Sequence, residues 1–191
     1  MPFACKYYLC EIHTILAGYF KYLLVLFCLI AFRFQQPSTF DVNSKIKAVF
    51  LYNFTRYFEW PDKKKTDNFV IYVVGKNDNL ITELKNLAKS KKVGNQPIEI
   101  QNSDSYEPAT RSHIVYFLPE AGRALGDASS RNRNKGVLMV AETPGACRSG
   151  ASINFIIVDN KLKFEYNKGT AIKSGLKTND DFKAMAAVNI D

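Results

Sequence analysis

Three short segments made almost entirely of apolar residues constrain the fold more than any other feature. They are residues 69–74, 113–118 and 136–141. A strand that is apolar at successive positions is buried on both faces, which is typical of a parallel sheet covered by helices. The sequence therefore predicts an α/β domain with these strands at its centre.

The segments around these strands alternate between helix and strand signals. Helical spacing and capping residues predict helices at 78–90, 119–132, 167–175 and 180–190, and alternation predicts strands at 97–100, 152–158 and 162–166. Asp159 and Asn160 favour a positive φ and predict a hairpin between the last two strands. The predicted fold is a Rossmann-like α/β sandwich with a mixed, mostly parallel sheet, a C-terminal β-hairpin, and helices on both faces.

The segment from Ser44 to Pro61 is predicted to be the first helix of the domain. Asn43 or Ser44 can cap its start, and Pro61 stops it because the residue before a proline avoids the α region. Large apolar residues follow the spacing of one helix face: Ile46, Val49, Phe50, Phe54, Tyr57 and Phe58. Such a wide apolar face must pack on something large, so we expect it to cover the sheet.

The same segment resembles the opening of a known family. Residues 47–61, KAVFLYNFTRYFEWP, resemble the start of the YfiR-like (HmsC-like) family of small bacterial periplasmic proteins that restrain membrane-bound diguanylate cyclases. The resemblance covers nearly everything after residue 43, through segments 69–75, 92–98, 113–119, 150–155, 164–167 and 171–176. It implies a regulatory protein that acts through binding.

Composition indicates a globular protein, since 47% of the residues are hydrophobic and 23% are charged. The formal net charge of +8 comes from basic residues scattered over predicted loops and helix ends. We interpret them as solvated surface and predict no nucleic-acid binding. A weak attraction to an anionic membrane or wall surface is left open.

The N-terminal part predicts export. A short apolar run, residues 22–32, lies between Lys21 and Arg33 and has the length of a secretory signal core rather than of a spanning helix. We assign residues 1–36 to an export signal, either cleaved or retained as an anchor, and 43–191 to a YfiR-like α/β domain in the periplasm. Cys147 is the only cysteine of that domain, so it has no partner there for a disulfide and is expected to be an inert thiol.

No motif for catalysis, a cofactor or a metal is evident. The turn after the first buried strand, residues 75–78, has neither of the glycine-rich phosphate-binding patterns. Gly75 and Lys76 could hold an anion at a helix start, but an ordinary turn is the better interpretation. The only two histidines are His13, in the predicted export segment, and His113, at the start of a predicted strand, so no pair is available to bind a metal or relay a proton. His113 is expected at a strand end with its ring nitrogens in hydrogen bonds. We predict that the protein is not an enzyme.

One candidate ligand site is predicted on the first helix. Asn53, Arg56 and Trp60 follow one another at i, i+3 and i+7, so a small acidic or aromatic ligand, or a cell-wall fragment, could lie between the guanidinium and the indole. In the alternative, which we favour, Trp60 closes the end of the core and Arg56 pairs with a carboxylate.

One candidate partner surface is predicted on and after the hairpin. Its residues are Leu162, Glu165 and Ile172, and the resemblance places partner contacts toward this C-terminal part. The leading function is an exported regulator that binds and restrains the periplasmic domain of an inner-membrane signalling protein, either a diguanylate cyclase or a sensor kinase. The alternative is a periplasmic carrier or sensor of a small ligand, and a homodimer is left open.

Overall fold

A mixed sheet dominates the computed structural model, which describes residues 42–108, 111–179 and 181–190. Within these residues the sheet has eight strands, in the order β10-β8-β7-β6-β5-β2-β4-β3. The strands are β2 (Phe69–Val74), β3 (Lys92–Val93), β4 (Gln96–Ser103), β5 (Ile114–Phe117), β6 (Leu138–Ala141), β7 (Ile153–Val158), β8 (Lys161–Asn167) and β10 (Val188–Ile190). A separate pair joins β1 (Phe58–Glu59) to β9 (Lys177–Thr178).

The central strands β4, β2, β5, β6 and β7 are parallel, and β8 returns antiparallel to β7 as a hairpin. Asp159 and Asn160 at its tip have φ values of 51° and 56°, the left-handed conformation that this tight turn needs. The predicted mixed, mostly parallel sheet with its hairpin is confirmed.

Five α-helices lie among the described residues. They are α1 (Val42–Phe54), α2 (Asp78–Ala88), α3 (Leu125–Arg131), α4 (Lys168–Lys173) and α5 (Asp181–Met185). Helix α2 begins as predicted at Asn77, whose side chain accepts a hydrogen bond from the Leu80 amide. The predicted helix at 119–132 is a 3₁₀ turn, Pro119–Ala124, followed by α3.

The core has two parts, one on each face of the sheet. On one face, residues of α1, α2 and α5 join the sheet residues in a cluster rich in aromatic rings. On the other face, α3 and the loop around Cys147 cover a smaller cluster. Every residue of β2 is buried, as a strand covered on both faces requires.

The predicted first helix is too long at its C-terminal end. Helix α1 ends at Phe54, because the Thr55 hydroxyl bonds back to the Tyr52 carbonyl oxygen at 2.6 Å and the next amides bond three residues back. The chain then extends, and β1 places Phe58 in the core. The buried face of α1 is also rotated from the predicted one, since Ala48 and Leu51 are buried while Ile46 and Val49 are exposed. The small Ala48 side chain lets the helix approach the sheet closely.

The predicted final helix is wrong beyond Met185. The Ala187 amide bonds to the carbonyl oxygen of Phe164, and Val188–Ile190 then pairs with β8 in parallel. Valine and isoleucine at alternating positions suit a strand, and the edge of β8 offers unpaired backbone groups. Satisfying that edge outweighs continuing a short helix.

Residues 41–191 form one compact unit. The predicted export segment, with Cys5, Cys10 and Cys28, lies outside the described residues. No helix in the part of the chain that the structure describes is long and apolar enough to cross a lipid bilayer.

Candidate functional site

The place where a Rossmann-like sheet most often binds a ligand is occupied by a side chain of the protein itself. Strand order reverses at β2, whose neighbours are β4 and β5. There Glu120 Oε1 accepts a hydrogen bond from the Lys76 amide at 2.8 Å. A Cβ added to Gly75 would lie 2.6 Å from the same oxygen, so the backbone at this left-handed glycine approaches the carboxylate closely. An incoming phosphate would meet a negative charge here, which favours the ordinary-turn interpretation of Gly75 and Lys76.

A second depression lies beside the hairpin, where the parallel strands end. It has a volume of about 610 Å³. We call it the hairpin hollow, and it is lined by Asn43, Lys47, Glu142, Pro144, Gly145, Asn154, Phe155, Ile156, Ile157, Leu162 and Glu165. Two of the predicted partner residues, Leu162 and Glu165, are therefore together in one surface feature.

The hollow exists because β7 is longer than its neighbour. β6 pairs with β7 only at Ile153 and Asn154, and Glu142 follows β6 directly. The rest of β7 continues past the end of β6, paired only with β8 among the described strands. Ile157, in this overhanging part, is 61% exposed.

Buried polar contacts fix the floor of the hairpin hollow. Lys47 of α1 forms an ion pair with Glu142, and both side chains are mostly buried, at 15% and 12% exposed. Asn154 Oδ1 accepts a hydrogen bond from the Thr143 amide at 3.1 Å, and its Nδ2 donates to Glu165 Oε2 at 2.9 Å. Glu165 is thus held in one orientation by the strand next to it.

Glu142 also acts on a buried phenol below the hollow. Burial, and then the negative charge of Glu142, raise the pKa of Tyr116. Tyr116 therefore stays neutral across the physiological pH range. The Lys47 ammonium neutralises Glu142, which leaves Glu165 as the unbalanced carboxylate of the hairpin hollow. Such an arrangement suits the binding of a partner rather than a chemical reaction.

The third predicted partner residue, Ile172, lies elsewhere. It is on α4, after β8, and does not line the hairpin hollow. Its side chain is 55% exposed. The surface predicted from sequence is therefore two separate patches, one in the hollow and one on α4.

The structure does not assemble the predicted ligand site around Arg56. Trp60 is only 5% exposed, its Nε1 donates to the His113 carbonyl oxygen at 3.2 Å, and its ring meets Phe69 edge to face at 4.9 Å. The Arg56 guanidinium lies 5.5 Å from the centre of the Tyr52 ring. The helical i, i+4 relation between Arg56 and Trp60 is wrong, because α1 ends before either residue.

Trp60 still borders a small depression of about 340 Å³, formed with Phe58, Phe69 and the turn at residues 93–96. Neither Asn53 nor Arg56 lines it. A ligand role for these three residues stays a prediction. The expected closure of the core by Trp60 agrees with its burial, whereas the expected carboxylate partner of Arg56 is absent from the described ion pairs.

His113 is fully buried with both ring nitrogens in hydrogen bonds. Nδ1 accepts from the Val70 amide at 3.0 Å, and Nε2 lies 2.7 Å from the carbonyl oxygen of Lys64, so the ring carries its proton on Nε2. Burial lowers the pKa of His113 to about 4. Burial also lowers the pKa of Lys64 to about 8, and its Nζ donates to the Ser112 carbonyl oxygen at 2.5 Å. These contacts are structural and lie away from the hairpin hollow.

Sequence reasoning missed Lys47, Glu142 and Asn154. Glu142 carried a usable signal, because a charged residue directly after a buried strand lies at the carboxyl edge of a parallel sheet. Lys47 had none, since it lies outside the predicted apolar face of the first helix, and the rotation of that helix was mispredicted. Within the described residues, no three acidic, histidine or cysteine side chains come together as a metal site would require.

Comparison with known proteins gives one finding. A model of a family described as YfiR/HmsC-like matches residues 44–186, which is more than half of the chain. The match begins within α1 and ends after α5, so it includes the whole hairpin hollow except Asn43. A search of curated proteins returned no match.

Proposed function

The chain belongs to the YfiR/HmsC-like family, and from that membership we propose that it is an exported, non-catalytic regulator that binds the periplasmic domain of an inner-membrane diguanylate cyclase and restrains it. The observation that carries the proposal is the family match over residues 44–186, which spans the sheet, the hairpin and α5. The hairpin hollow supplies a surface on which such a partner can bind.

The chemistry of the hollow suits a protein partner. Ile157 and Leu162 offer apolar area on the hairpin, and Glu165 offers a carboxylate held by Asn154. The overhanging part of β7 also presents backbone donors and acceptors that pair with no other described strand on that side. An extended segment of a partner can add to such an edge, gaining affinity from the main chain and specificity from the neighbouring side chains.

Restraint of the cyclase follows from differential binding. If the regulator binds the inactive form of the receptor more tightly than the active form, it shifts the population toward the inactive form by that ratio of affinities and no further. No catalytic step is needed. A tenfold preference corresponds to about 1.4 kcal/mol, which a few buried contacts at the hollow can supply.

The test uses charge reversal in living cells. We expect deletion of the gene to raise cyclic di-GMP, and the wild-type chain to restore the low level. Glu165→Lys should fail to restore it, because a cation replaces the carboxylate of the hollow. Glu83→Lys is the matched control, since Glu83 lies on α2 and does not line the hollow.

The thermal unfolding midpoint of each purified variant checks that the fold is intact. Glu165→Gln, which keeps the shape and one acceptor for Asn154, should restore regulation partly. If Glu165→Lys is folded and restores cyclic di-GMP as well as Glu83→Lys does, the hollow is not the contact surface. If deletion leaves cyclic di-GMP unchanged, the proposed partner class is wrong.

A further inference from the structure

A basic cavity lies on the sheet face that carries α3, apart from the hairpin hollow. Its volume is about 480 Å³, within the range of small-molecule sites. It lies between the C-terminal half of α3, the 3₁₀ turn at Ala146–Arg148, and α4. Gly150 belongs to its wall, and a Cβ there would lie 2.6 Å from the Ser129 Cβ, so the wall depends on glycine at that position.

Three cations line this cavity: Arg133, Arg148 and Lys173. None of them forms an ion pair with another described residue. Other basic residues of the domain, such as Arg131 with Asp127, do have such partners. Three unpaired cations around one depression repel each other, and an anion bound between them would relieve that repulsion.

Hydroxyl groups complete the lining. Ser129, Thr170 and Ser174 line the cavity, and their side-chain oxygens form no hydrogen bond within the described part of the chain. Ser174 is only 2% exposed, and it lines the cavity. A serine hydroxyl that has no protein partner at a cavity wall can donate a hydrogen bond to a ligand oxygen.

The floor of the cavity remains neutral. Cys147 lines it and is buried, and its backbone carbonyl oxygen accepts a hydrogen bond from Asn167 Nδ2 at 3.0 Å. Burial, followed by the charge of Glu165, raises the pKa of the Cys147 thiol to about 12. The thiol therefore adds no negative charge to oppose an anion at physiological pH.

We propose that this cavity binds a phosphate group, as free phosphate, as a small phosphate ester or diphosphate, or as a lipid headgroup. A phosphate presents several strong acceptor oxygens, which match arginine forks, an ammonium and hydroxyl donors together. The site is separate from the proposed partner surface and does not rest on the proposed function. Thr170 and Lys173 of α4 line the cavity, so a bound ligand would contact the helix that carries the exposed Ile172.

The first experiment titrates the full-length chain with pyrophosphate by calorimetry, in a buffer without phosphate and at fixed ionic strength. We expect saturable binding. Arg148→Gln should weaken it at least tenfold, because a charge-assisted contact is lost. Arg123→Gln is the matched control, since this exposed arginine does not line the cavity, and its affinity should equal that of the wild type.

Ser174→Ala separates a binding role from a structural one. Its hydroxyl bonds to no described residue, so the unfolding midpoint without ligand should remain unchanged while pyrophosphate affinity falls several-fold. Flotation with phosphatidylglycerol vesicles then distinguishes the two sources of phosphate. Vesicle binding that is lost in Arg148→Gln identifies a lipid headgroup, and pyrophosphate binding without vesicle binding identifies a soluble ligand.

Two results would overturn the proposal. One is the absence of binding to both pyrophosphate and vesicles by the folded protein. The other is equal affinity of Arg148→Gln and Arg123→Gln, which would mean that only the overall positive charge attracts the anion. Neither result bears on the cyclic di-GMP test, so the two proposals fail independently.

Discussion

The buried His113 predicts a specific dependence of stability on pH. In the folded protein its Nδ1 must accept a hydrogen bond from the Val70 amide, which a protonated imidazole is unable to do. Burial lowers its folded pKa to about 4, and the nearby cations Lys64 and Arg111 act in the same direction. The unfolded chain, with a pKa near 6.5, therefore takes up a proton first as the pH falls.

The magnitude follows from this shift. A lowered pKa contributes stability that is complete above the unfolded value and is lost as the pH falls from about 6.5 toward 4. The full shift corresponds to about 3 kcal/mol, and since Lys64 and Arg111 reach solvent, screening reduces the expected loss to about 2 kcal/mol. His113→Gln removes the titration, so the stability advantage of the wild type over this variant should shrink by that amount between pH 7.5 and 4.5.

Urea unfolding of both proteins over this pH range measures the difference directly, because carboxylates titrate alike in the two proteins and cancel. The ring-proton NMR signal that His113→Gln removes should not titrate until well below pH 6. Parallel curves of unfolding free energy against pH, or a His113 signal that titrates near pH 6.5 in the folded state, would refute the reasoning.

Three further predictions concern the core, the hollow and the thiol. Phe182→Ala should destabilise the protein by about 3–5 kcal/mol in chemical unfolding, because the buried Phe182 ring contacts several other aromatic rings. Met185→Ala, on the exposed side of the same helix, is the control and should cost under about 1 kcal/mol. Lys47→Met should lower the free energy of unfolding by about 3 kcal/mol, because it leaves the carboxylate of Glu142 buried and unpaired. Adding Glu142→Gln should recover a large part of that loss. Full additivity of the two changes would contradict the ion pair. Cys147 should react with a thiol reagent at pH 8 only as fast as the protein unfolds, since burial raises its pKa to about 12, and immediate reaction in native buffer would show that the thiol is accessible.

The parts of the fold that could be predicted from the sequence are those set by local chemistry. The all-apolar composition of β2 and β5 indicated burial on both faces, and Asp159 with Asn160 indicated the hairpin turn, because few other residues adopt the required φ. The capping of α2 by Asn77 was likewise visible as a local signal.

Long-range competition decided the parts that were mispredicted. The spacing from Ile46 to Phe58 fits a helix, but β9 supplies a partner for β1, and no local pattern reveals a strand located more than a hundred residues away. In the same way Val188–Ile190 continued a helical spacing, while the open edge of β8 drew it into the sheet. Because the rotation of α1 decides which polar residue faces Glu142, the ion pair between Lys47 and Glu142 could not be predicted.

The candidate site likewise has residues that local sequence patterns indicate and features that depend on long-range packing. Leu162 and Glu165 could be proposed because they lie on a recognisable hairpin, and the structure places them in one hollow. The overhang of β7 depends on how far β6 extends beside it, which is a property of register rather than of either segment alone. The basic cavity joins α3, a 3₁₀ turn and α4, segments that sequence alone gives no reason to bring together.

Photo-crosslinking in the native bacterium tests the central claim most directly. A photoreactive residue is placed at Ile157 in the hairpin hollow, with a second variant at the exposed Lys89 after α2 as the control. The account predicts that Ile157, and not Lys89, forms an adduct in the inner-membrane fraction, and that mass spectrometry identifies a membrane protein with a diguanylate cyclase domain. An adduct only with a second copy of this chain, an adduct with a different class of protein, or equal adducts from both positions would contradict it.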